Sequence, residues 1–320
     1  MRLLAGVLGR LTLFCVSAGG SAGARAARAP NSVAFWNRGA GLIGLDMCRP
    51  RCMHGAIALT NDGGKTSRVV FSTDEDVLVA AARGRRTAWI VTRRCGSNEC
   101  QNDHLFVTRD RGRHWQLVAD RPPLASDFAT ARLGMGVAGG NPYANGPTGI
   151  VLTRDGGRSW HRVHSPCRGW TGGATVSFPR PARAWALCTS EGGAGSEEKA
   201  VYESRDQGRS WRVRAETIVF GHRRFRGGIS FYGYPLAISV ASDGSGLLWE
   251  SRGTLYSTRD GGGHWHQHLR VAEPDADFGI AGWSLPGGDA FVLLQRMPTI
   301  KLVAHIDGRW SVRRRWTLGP

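Results

Sequence analysis

The sequence lacks any long stretch of apolar residues spaced at 3.6-residue intervals, and beyond residue 29 it lacks an apolar run long enough to span a bilayer. These absences exclude a helical bundle and a helical membrane protein beyond that point. Glycine, in contrast, contributes 45 of the 320 residues, and tryptophan contributes 12. Abundant glycine and aromatic residues are typical of short strands joined by turns, so the sequence predicts an all-β fold.

Lysine is scarce, because Lys65, Lys199 and Lys301 are the only three, and nearly all of the formal charge of +17 comes from arginine. The arginines are scattered through the chain and do not form one basic tract. This distribution disfavours nucleic-acid binding. An acidic surface, such as a polyanionic wall or anionic lipid, is the alternative partner that this charge indicates.

The first 29 residues have the order of a secretory signal peptide. Arg2 and Arg10 flank an apolar start, an apolar run covers 11–18, and small residues with A-x-A spacing follow at 22–24 and 27–29. We expect cleavage between residues 24 and 29, and a secreted or cell-envelope location. Cys15 follows a bulky phenylalanine, which fits a lipid-attachment site poorly.

One eight-residue phrase recurs along the chain. It reads TNDGGKTS at 60–67, TRDRGRHW at 108–115, TRDGGRSW at 153–160, SRDQGRSW at 204–211 and TRDGGGHW at 258–265. A shortened version, HIDGRW, lies at 305–310. The shared aspartates are 45 to 54 residues apart, and such a fixed period is the signature of a repeat architecture.

Each repeat contains four short β-rich runs separated by turn residues, as in 77–81, 87–92, 104–108 and 115–118 of the second repeat. Four antiparallel strands per unit of about this length are typical of a propeller blade. We therefore predict one six-bladed β-propeller over residues 30–320. A seven-bladed ring with one unreadable blade is the alternative. The predicted blades cover about 31–72, 73–121, 122–166, 167–220, 221–273 and 274–320.

The repeated phrase is interpreted as the turn between strands three and four. We expect its aspartate to accept hydrogen bonds from N–H groups two or three residues on, and the glycine two positions later to adopt a positive φ. We expect the closing tryptophan to be buried between blades with its N–H bonded. These roles are structural, and they are predicted for Asp62, Asp110, Asp155, Asp206, Asp260, Asp307, Trp115, Trp160, Trp211 and Trp265.

These phrases resemble the Asp-box, or BNR, repeat, whose pattern is S/T-x-D-x-G-x-S/T-W. The copies around Asp155 and Asp206 match fully, whereas those around Asp110 and Asp260 have a histidine before the tryptophan. The stretch 253–262 is also similar to bacterial secreted BNR-like and photosystem II assembly factor-like propellers. The resemblance implies a β-propeller, and it covers sialidases, receptors and assembly factors without choosing among them.

A sialidase resembling this family would carry an F/Y-R-I-P motif near the first blade, and the chain has none there. The stretch FPRP at 178–181 is a scrambled likeness in the wrong blade. Glycoside hydrolysis needs two placed carboxylates, and the single imaginable nucleophile pair joins Tyr232 or Tyr234 to Glu250. We therefore expect no catalysis, with a sialidase-type glycoside hydrolase as the alternative.

Antiparallel strands alternate ends, so all the repeated turns lie on one face of the ring and the longer connections lie on the other. Interleaved arginines and aromatics in the connection 221–226 make Arg223, Arg224 and Arg226 the first binding candidates. Tyr143 and Asn145, in the stretch NPYAN, are the second. An ordinary solvated loop is the alternative for both.

Six cysteines follow the leader, and an even number in an exported chain favours disulfides over reduced, buried thiols. Their positions in the loops of one face predict three local bonds. The predicted pairs are Cys48 with Cys52, Cys95 with Cys100 and Cys167 with Cys188. The CxxxC and CxxxxC spacings lack a following histidine pair, so no zinc site is expected.

His264, His266 and His268 alternate on one predicted strand and therefore share a face. Alternate positions on one straight strand rarely converge on one ion, so we expect a solvated edge and no metal or cofactor. The sequence thus predicts an exported, monomeric, non-catalytic binding or assembly propeller. Its expected partner is a protein, or a glycan or other anionic envelope component, held on the face opposite the repeated turns.

Overall fold

A computed structural model describes residues 28–47, 54–95, 100–123, 125–138, 149–220, 223–251, 253–268 and 278–318. Within these residues the chain forms six antiparallel sheets in sequence order, each built on four consecutive strands. The protein is an all-β, six-bladed propeller, so the six-bladed prediction is confirmed and the seven-bladed alternative is wrong.

The first three blades follow the predicted order of short strands. Blade one contains β1 (Arg28–Phe35), β2 (Gly41–Met47), β3 (His54–Thr60) and β4 (Arg68–Thr73). Blade two contains β5 (Asp76–Arg83), β6 (Thr87–Cys95), β7 (Cys100–Thr108) and β8 (Gln116–Asp120). Blade three contains β9 (Ala125–Phe128), β10 (Gly134–Ala138), β11 (Gly149–Thr153) and β12 (His161–Arg162).

The last three blades include one with an added strand. Blade four contains β13 (Ala174–Arg180), β14 (Arg183–Thr189), β15 (Lys199–Ser204), β16 (Arg212–Ile218) and β17 (Arg224–Arg226). Blade five contains β18 (Pro235–Val240), β19 (Gly246–Glu250), β20 (Leu255–Thr258) and β21 (His266–Gln267). Blade six contains β22 (Phe278–Ser284), β23 (Ala290–Arg296), β24 (Thr299–Ile306) and β25 (Arg309–Thr317).

The fifth strand of blade four extends that blade past the predicted limit at Phe220. Residues 224–226 pair antiparallel with β16, so that Phe225 faces Thr217 and Arg226 faces Glu216 across the sheet. The sequence analysis treated this segment as a loop that opens blade five. The pairing instead attaches it to the outer edge of blade four.

The core lies between neighbouring blades, where aromatic side chains of inner strands meet. Trp89 of blade two stacks on Phe128 of blade three with ring centroids 4.2 Å apart. Trp185 of blade four is fully buried and donates its indole N–H to Gly261 O of blade five at 3.0 Å. The seam between blades four and five thus combines apolar burial with an anchored polar group.

The ring closes where blade one meets blade six. Phe35 stacks on Phe291 with centroids 3.6 Å apart, and the indole N–H of Trp283 donates to Phe35 O at 2.8 Å. Arg314 also donates to Ser67 Oγ at 2.7 Å. Among the described residues no strand is exchanged between the two terminal blades. Between the described strands of these two blades, contact is therefore made by side chains.

The strand directions define two faces. We call the turns at 60–67, 108–115, 153–160, 204–211 and 258–265 the aspartate turns, and the face that carries them the aspartate-turn face. The opposite face, which carries the connections between strands two and three and between blades, is the loop face. No helix in the described part of the chain has the length and apolar character of a membrane span.

Candidate functional site

The aspartate turns are closed by a repeated set of hydrogen bonds, as blade three illustrates. Thr153 Oγ1 donates to Asp155 Oδ1 at 2.7 Å and accepts the N–H of Gly157 at 2.8 Å. Asp155 also accepts the N–H of Ser159 at 3.0 Å and the Ser159 hydroxyl at 2.5 Å. Equivalent bonds form at Asp62, Asp110, Asp206 and Asp260. The carboxylates of all five turns are therefore engaged inside their own turns.

Two details of these turns differ from the expectation. The aspartate accepts the N–H four residues on in every turn, not two or three residues on; an additional bond from Gly263 to Asp260 spans three. Positive φ also occurs at both positions after the aspartate, so Arg111 (63°) and Gln207 (62°) adopt it without being glycine. The second position holds glycine for an added reason, since a Cβ at Gly157 would clash with Leu105 of blade two.

The closing tryptophans follow the expected plan in three of four turns. The indole N–H groups of Trp160 and Trp265 donate to the glycine carbonyl three residues earlier, and that of Trp211 donates to His164 O in blade three. Trp115 packs beside Phe71, but its buried indole nitrogen has no hydrogen-bond partner. Trp265 is buried, whereas the other three are half-buried. The prediction that the closing tryptophans are buried is therefore confirmed for Trp265 and is too strong for the other three.

Asp307 does not form an aspartate turn. Ile306 pairs with Arg309 across the strands, so Asp307 and Gly308 make a two-residue hairpin in which both residues have positive φ. The Asp307 carboxylate accepts a salt bridge of 2.7 Å from Arg38 of blade one. Because the phrase is two residues shorter there, its aspartate contributes to ring closure instead of closing its own turn.

The loop face holds the remaining predicted residues, and the structure describes only part of them. Cys167 and Cys188 are joined by a disulfide, with their Cα atoms 5.2 Å apart. Tyr143, Asn145, Cys48 and Cys52 lie outside the described residues, as does the leader up to residue 27. Cys95 and Cys100 are cross-strand partners in β6 and β7, but their side chains are not described.

The three predicted arginines lie on and beside β17. Arg223, Arg224 and Arg226 are all exposed. Arg224 Nε is 3.4 Å from Glu216 Oε2 on the neighbouring strand. No carboxylate among the described residues lies within ion-pair distance of Arg223 or Arg226. Two of the three guanidinium groups are therefore free to bind an anionic group.

Exposed aromatic side chains lie in the same segments as these arginines, and their exposure was not predicted from the sequence. Phe220, Phe225 and Tyr232 are 75%, 66% and 74% exposed. Phe231 contacts both Phe220 and Tyr232 edge-on, with each pair of centroids 6.3 Å apart. Large exposed apolar groups gathered in one place are typical of an interaction surface. We call residues 190–198 and the described residues of 219–234 (219–220 and 223–234), with these side chains, the blade-four platform.

The platform has a fixed base because its two segments are hydrogen-bonded to each other. Glu198 Oε1 accepts the N–H groups of Val219 and Phe220 at 2.8 and 2.7 Å. Gly233 N–H donates to Gly195 O at 2.9 Å, and Gly195 N–H donates to the Tyr234 hydroxyl at 2.7 Å. These bonds hold the exposed aromatics on a defined surface, which lowers the entropy lost when a partner binds.

A buried ion pair lies beneath the platform. Lys199 Nζ is 2.7 Å from Glu250 Oε1, and both side chains are fully buried. Lys199 also donates to the carbonyl oxygens of Tyr232 and Gly233 at 3.3 and 3.0 Å. The ammonium group therefore ties the start of β15 to blade five and to the platform backbone. The one signal of this pair in the sequence is a rare lysine in an arginine-rich chain.

The carboxyl groups beside Lys199 are poorly solvated. Burial raises the pKa of Glu250, although Lys199 opposes this effect. Burial also raises the pKa of Glu197 to about 7, with Thr189 and Lys199 opposing it. Because the Glu250 carboxylate is fully buried and bonded to Lys199, it is not exposed to a sugar substrate. In this structure, a substrate therefore cannot reach Glu250 as part of a nucleophile pair with Tyr232 or Tyr234.

The three histidines near the end of blade five do not converge. His264 Nδ1 bonds to Asp260 Oδ2 at 2.6 Å inside its turn, whereas His268 Nε2 bonds to Ser257 Oγ at 2.7 Å. His266 is exposed between them. In the part of the chain that the structure describes, no three His, Cys, Asp or Glu side chains are placed to hold a metal ion.

No family model matches the sequence, and no curated protein matches it. Solved structures do match the fold. An α-L-arabinofuranosidase of Fusarium graminearum is 13% identical with a TM-score of 0.52, over 88% of this chain and 91% of that one. A family GH74 xyloglucanase of Xanthomonas campestris is 15% identical with a TM-score of 0.50, over 89% of this chain and 47% of that one.

YCF48 from Cyanidioschyzon merolae is 15% identical with a TM-score of 0.48, over 86% of this chain and 94% of that one. The similar structures thus include glycoside hydrolases as well as YCF48. At these identities the likeness establishes the propeller fold alone.

Proposed function

We propose that this chain is an exported, non-catalytic binding propeller that holds a partner protein on its loop face. The observation that carries the proposal is the blade-four platform, where exposed aromatics and unpaired arginines lie together on a hydrogen-bonded base. Aromatic and arginine side chains supply most of the binding energy in protein interfaces. Of the four exposed aromatic side chains among the described residues, three belong to this platform.

The chemistry of the platform indicates what its partner carries. Phe220 and Tyr232 offer flat apolar surface, so the partner contributes aliphatic or aromatic side chains. Arg223 and Arg226 offer guanidinium groups that match carboxylates bidentately. The best fit is a protein segment in which acidic residues flank apolar ones. A glycan or another anionic envelope component is an alternative that the experiment below separates.

Site-specific photo-crosslinking tests the proposal. A photoreactive residue is placed at Tyr232 on the platform or, as a matched control, at Leu117, which is 50% exposed on blade two. We expect a protein adduct at position 232 and none at 117. The captured protein is identified, purified and titrated against the wild type and Phe220→Ser/Tyr232→Ser, for which we expect at least a tenfold loss of affinity.

Two results would overturn this proposal. One is equal crosslinking at 232 and 117, and the other is unchanged affinity of the purified partner for the double variant with an unchanged melting temperature. A glycan-hydrolysis screen tests the non-catalytic part separately. Robust turnover of a glycan by the purified wild-type protein would overturn this part and establish the hydrolase alternative.

A further inference from the structure

A second surface lies on the aspartate-turn face, where blade three meets blade four. A cleft of about 350 Å³ opens there. The cleft is lined by Arg154 from the turn of blade three and by Arg205 and Arg209 from the turn of blade four. The other lining residues are Asp206, Gln207, Pro181 and Ala182. Three arginines from two blades therefore line one cleft.

Two of these arginines have unoccupied donors. Arg154 and Arg209 are exposed, and no carboxylate among the described residues lies within ion-pair distance of either. Arg205 Nε is 3.3 Å from Glu203 Oε1, and the side chain is still 61% exposed. Arg205 is therefore anchored at one nitrogen while its other donors face solvent.

Asp206 is the acidic member of the cleft, and its oxygens are already bonded. Oδ1 accepts the Ser204 hydroxyl and the Ser210 N–H, both at 2.9 Å, and Oδ2 accepts the Ser210 hydroxyl at 2.6 Å. These bonds turn the carboxylate toward its own turn. The cleft thus contains three arginines and one carboxylate, and that carboxylate is hydrogen-bonded within its own turn.

The carboxylate of Glu203 forms ion pairs with several neighbouring arginines. Its side chain is fully buried and lies 2.5 Å from a guanidinium nitrogen of Arg183, 2.5 Å from one of Arg212 and 3.9 Å from one of Arg214. One carboxylate therefore organises four cations, counting Arg205, and leaves a surplus of positive charge near the cleft. Preorganised arginines lose little freedom when an anion binds.

The same face carries further exposed arginines, namely Arg132, Arg158 and Arg180. They lie at or beside the turns of blades three and four. Positive charge on this face is therefore not confined to the cleft. A ligand with several regularly spaced anionic groups fits this surface better than a single small ion does.

We propose that this cleft binds a phosphate group of a phosphate-bearing polyanion, while the flanking arginines bind its other phosphates. Guanidinium pairs bidentately with phosphate, and three guanidinium groups in one cleft match a group with several anionic oxygens. The site lies on the face opposite the blade-four platform and does not depend on the function proposed for that platform.

The test uses two phosphate sources and the full chain. Inorganic polyphosphate is titrated against the protein by calorimetry at 50 mM salt. Vesicles of phosphatidylglycerol in phosphatidylcholine are tested by flotation. The site variant is Arg154→Gln/Arg209→Gln, and the control variant is Arg121→Gln/Arg168→Gln, which removes the same charge from two exposed arginines of the loop face outside the blade-four platform. We expect at least a tenfold loss of affinity in the site variant and less than twofold in the control.

Loss confined to the site variant supports the cleft, and the probe that shows it identifies a soluble polymer or a lipid surface as the phosphate source. Equal losses of affinity in the two variants would show that binding depends only on net charge, and this result would overturn the proposal. The proposal is also wrong if neither probe binds the wild type. Melting temperatures of both variants check folding, and Arg154→Lys/Arg209→Lys provides a second site variant that keeps the charge but loses bidentate geometry.

Discussion

On the aspartate-turn face, Asp62 and Asp206 have pKa values of about 2, whereas on the loop face Asp46 and Glu197 have pKa values of about 7. Hydrogen bonds from Thr66 and Ser210 lower the first two pKa values, because these donors favour the charged carboxylate. Burial raises the other two, because it disfavours that charge. The two faces therefore place their carboxyl groups in opposite environments.

The carboxyl groups of the two faces are stabilised by contacts of different range along the chain. The aspartate turns repeat one local design, so each carboxylate is satisfied by groups within four residues of it. On the loop face, buried carboxyl groups depend on groups that are distant in sequence, as Glu250 does on Lys199. The aspartate-turn face thus repeats one structural unit that supports the scaffold, whereas the loop face is irregular and carries the blade-four platform.

The largest effect is expected from Lys199→Met. This substitution leaves the Glu250 carboxylate buried without its partner, and removing one member of a buried pair costs about 3–5 kcal/mol. Urea denaturation should show this loss in the free energy of unfolding. The double variant Lys199→Met/Glu250→Leu should recover most of it, since no buried charge remains. A single variant as stable as the wild type would contradict the importance of this pair for the loop face.

The second effect concerns the disulfide between Cys167 and Cys188, which encloses a segment of 21 residues in blade four. The variant Cys167→Ala/Cys188→Ala should lose about 3 kcal/mol of unfolding free energy, because the unfolded chain is no longer constrained. Hydrogen exchange should rise mainly in the loops of blade four. A rise spread evenly over all six blades would show that the bond stabilises the whole ring instead.

A smaller effect should distinguish a complete aspartate turn from the shortened one. Asp155→Ala removes the acceptor for Thr153 and Ser159 and should cost roughly 1–2 kcal/mol. Asp307→Ala removes a salt bridge between exposed groups and should cost roughly 0–1 kcal/mol. Thermal unfolding of the two variants compares them directly. Equal destabilisation would contradict the different roles assigned to the two aspartates.

A further contrast is the pH dependence of stability at the two faces. Glu197 has a raised pKa in the folded state, so its contribution to stability is present below its ordinary value of 4.5 and is lost as the pH rises to about 7. Glu197→Gln should therefore flatten the decline in stability between these two values. Unfolding free energies measured at half-unit pH steps provide the comparison.

Asp62 should behave in the opposite way. Its pKa is lowered, so its contribution is present above 3.8 and is lost as the pH falls through about 2. Asp62→Asn should flatten stability in that acidic range and leave the range from 4.5 to 7 unchanged. If both variants alter the same pH range, the contrast between the faces is wrong.

The repeated turns were predictable because their contacts are local. Thr153, Asp155 and Ser159 lie within seven residues, so their spacing in the sequence already indicates the hydrogen bonds. The period of the phrase then determines the number of blades. The same logic was wrong for Asp307, because two missing residues convert the turn into a tight hairpin. The sequence showed that shortening but not its geometric consequence.

The platform was only partly predictable. Arg223, Arg224 and Arg226 were identified from their interleaving with aromatics, but their pairing with β16 depends on a strand that local sequence did not indicate. The exposure of Phe220 and Tyr232 was not predictable either. An exposed and a buried aromatic look alike in a sequence, and only the packing of the surrounding blades distinguishes them.

The scaffold follows from the sequence, because strand alternation acts over a few residues and recurs in six blades, and the local turn chemistry recurs in five of them. Tertiary structure alone decided which side chains meet across the seams. Lys199 and Glu250 are 51 residues apart, and Arg154 reaches Arg205 and Arg209 only because blades three and four are adjacent. Such contacts depend on the closure of the ring, which no local stretch of sequence specifies.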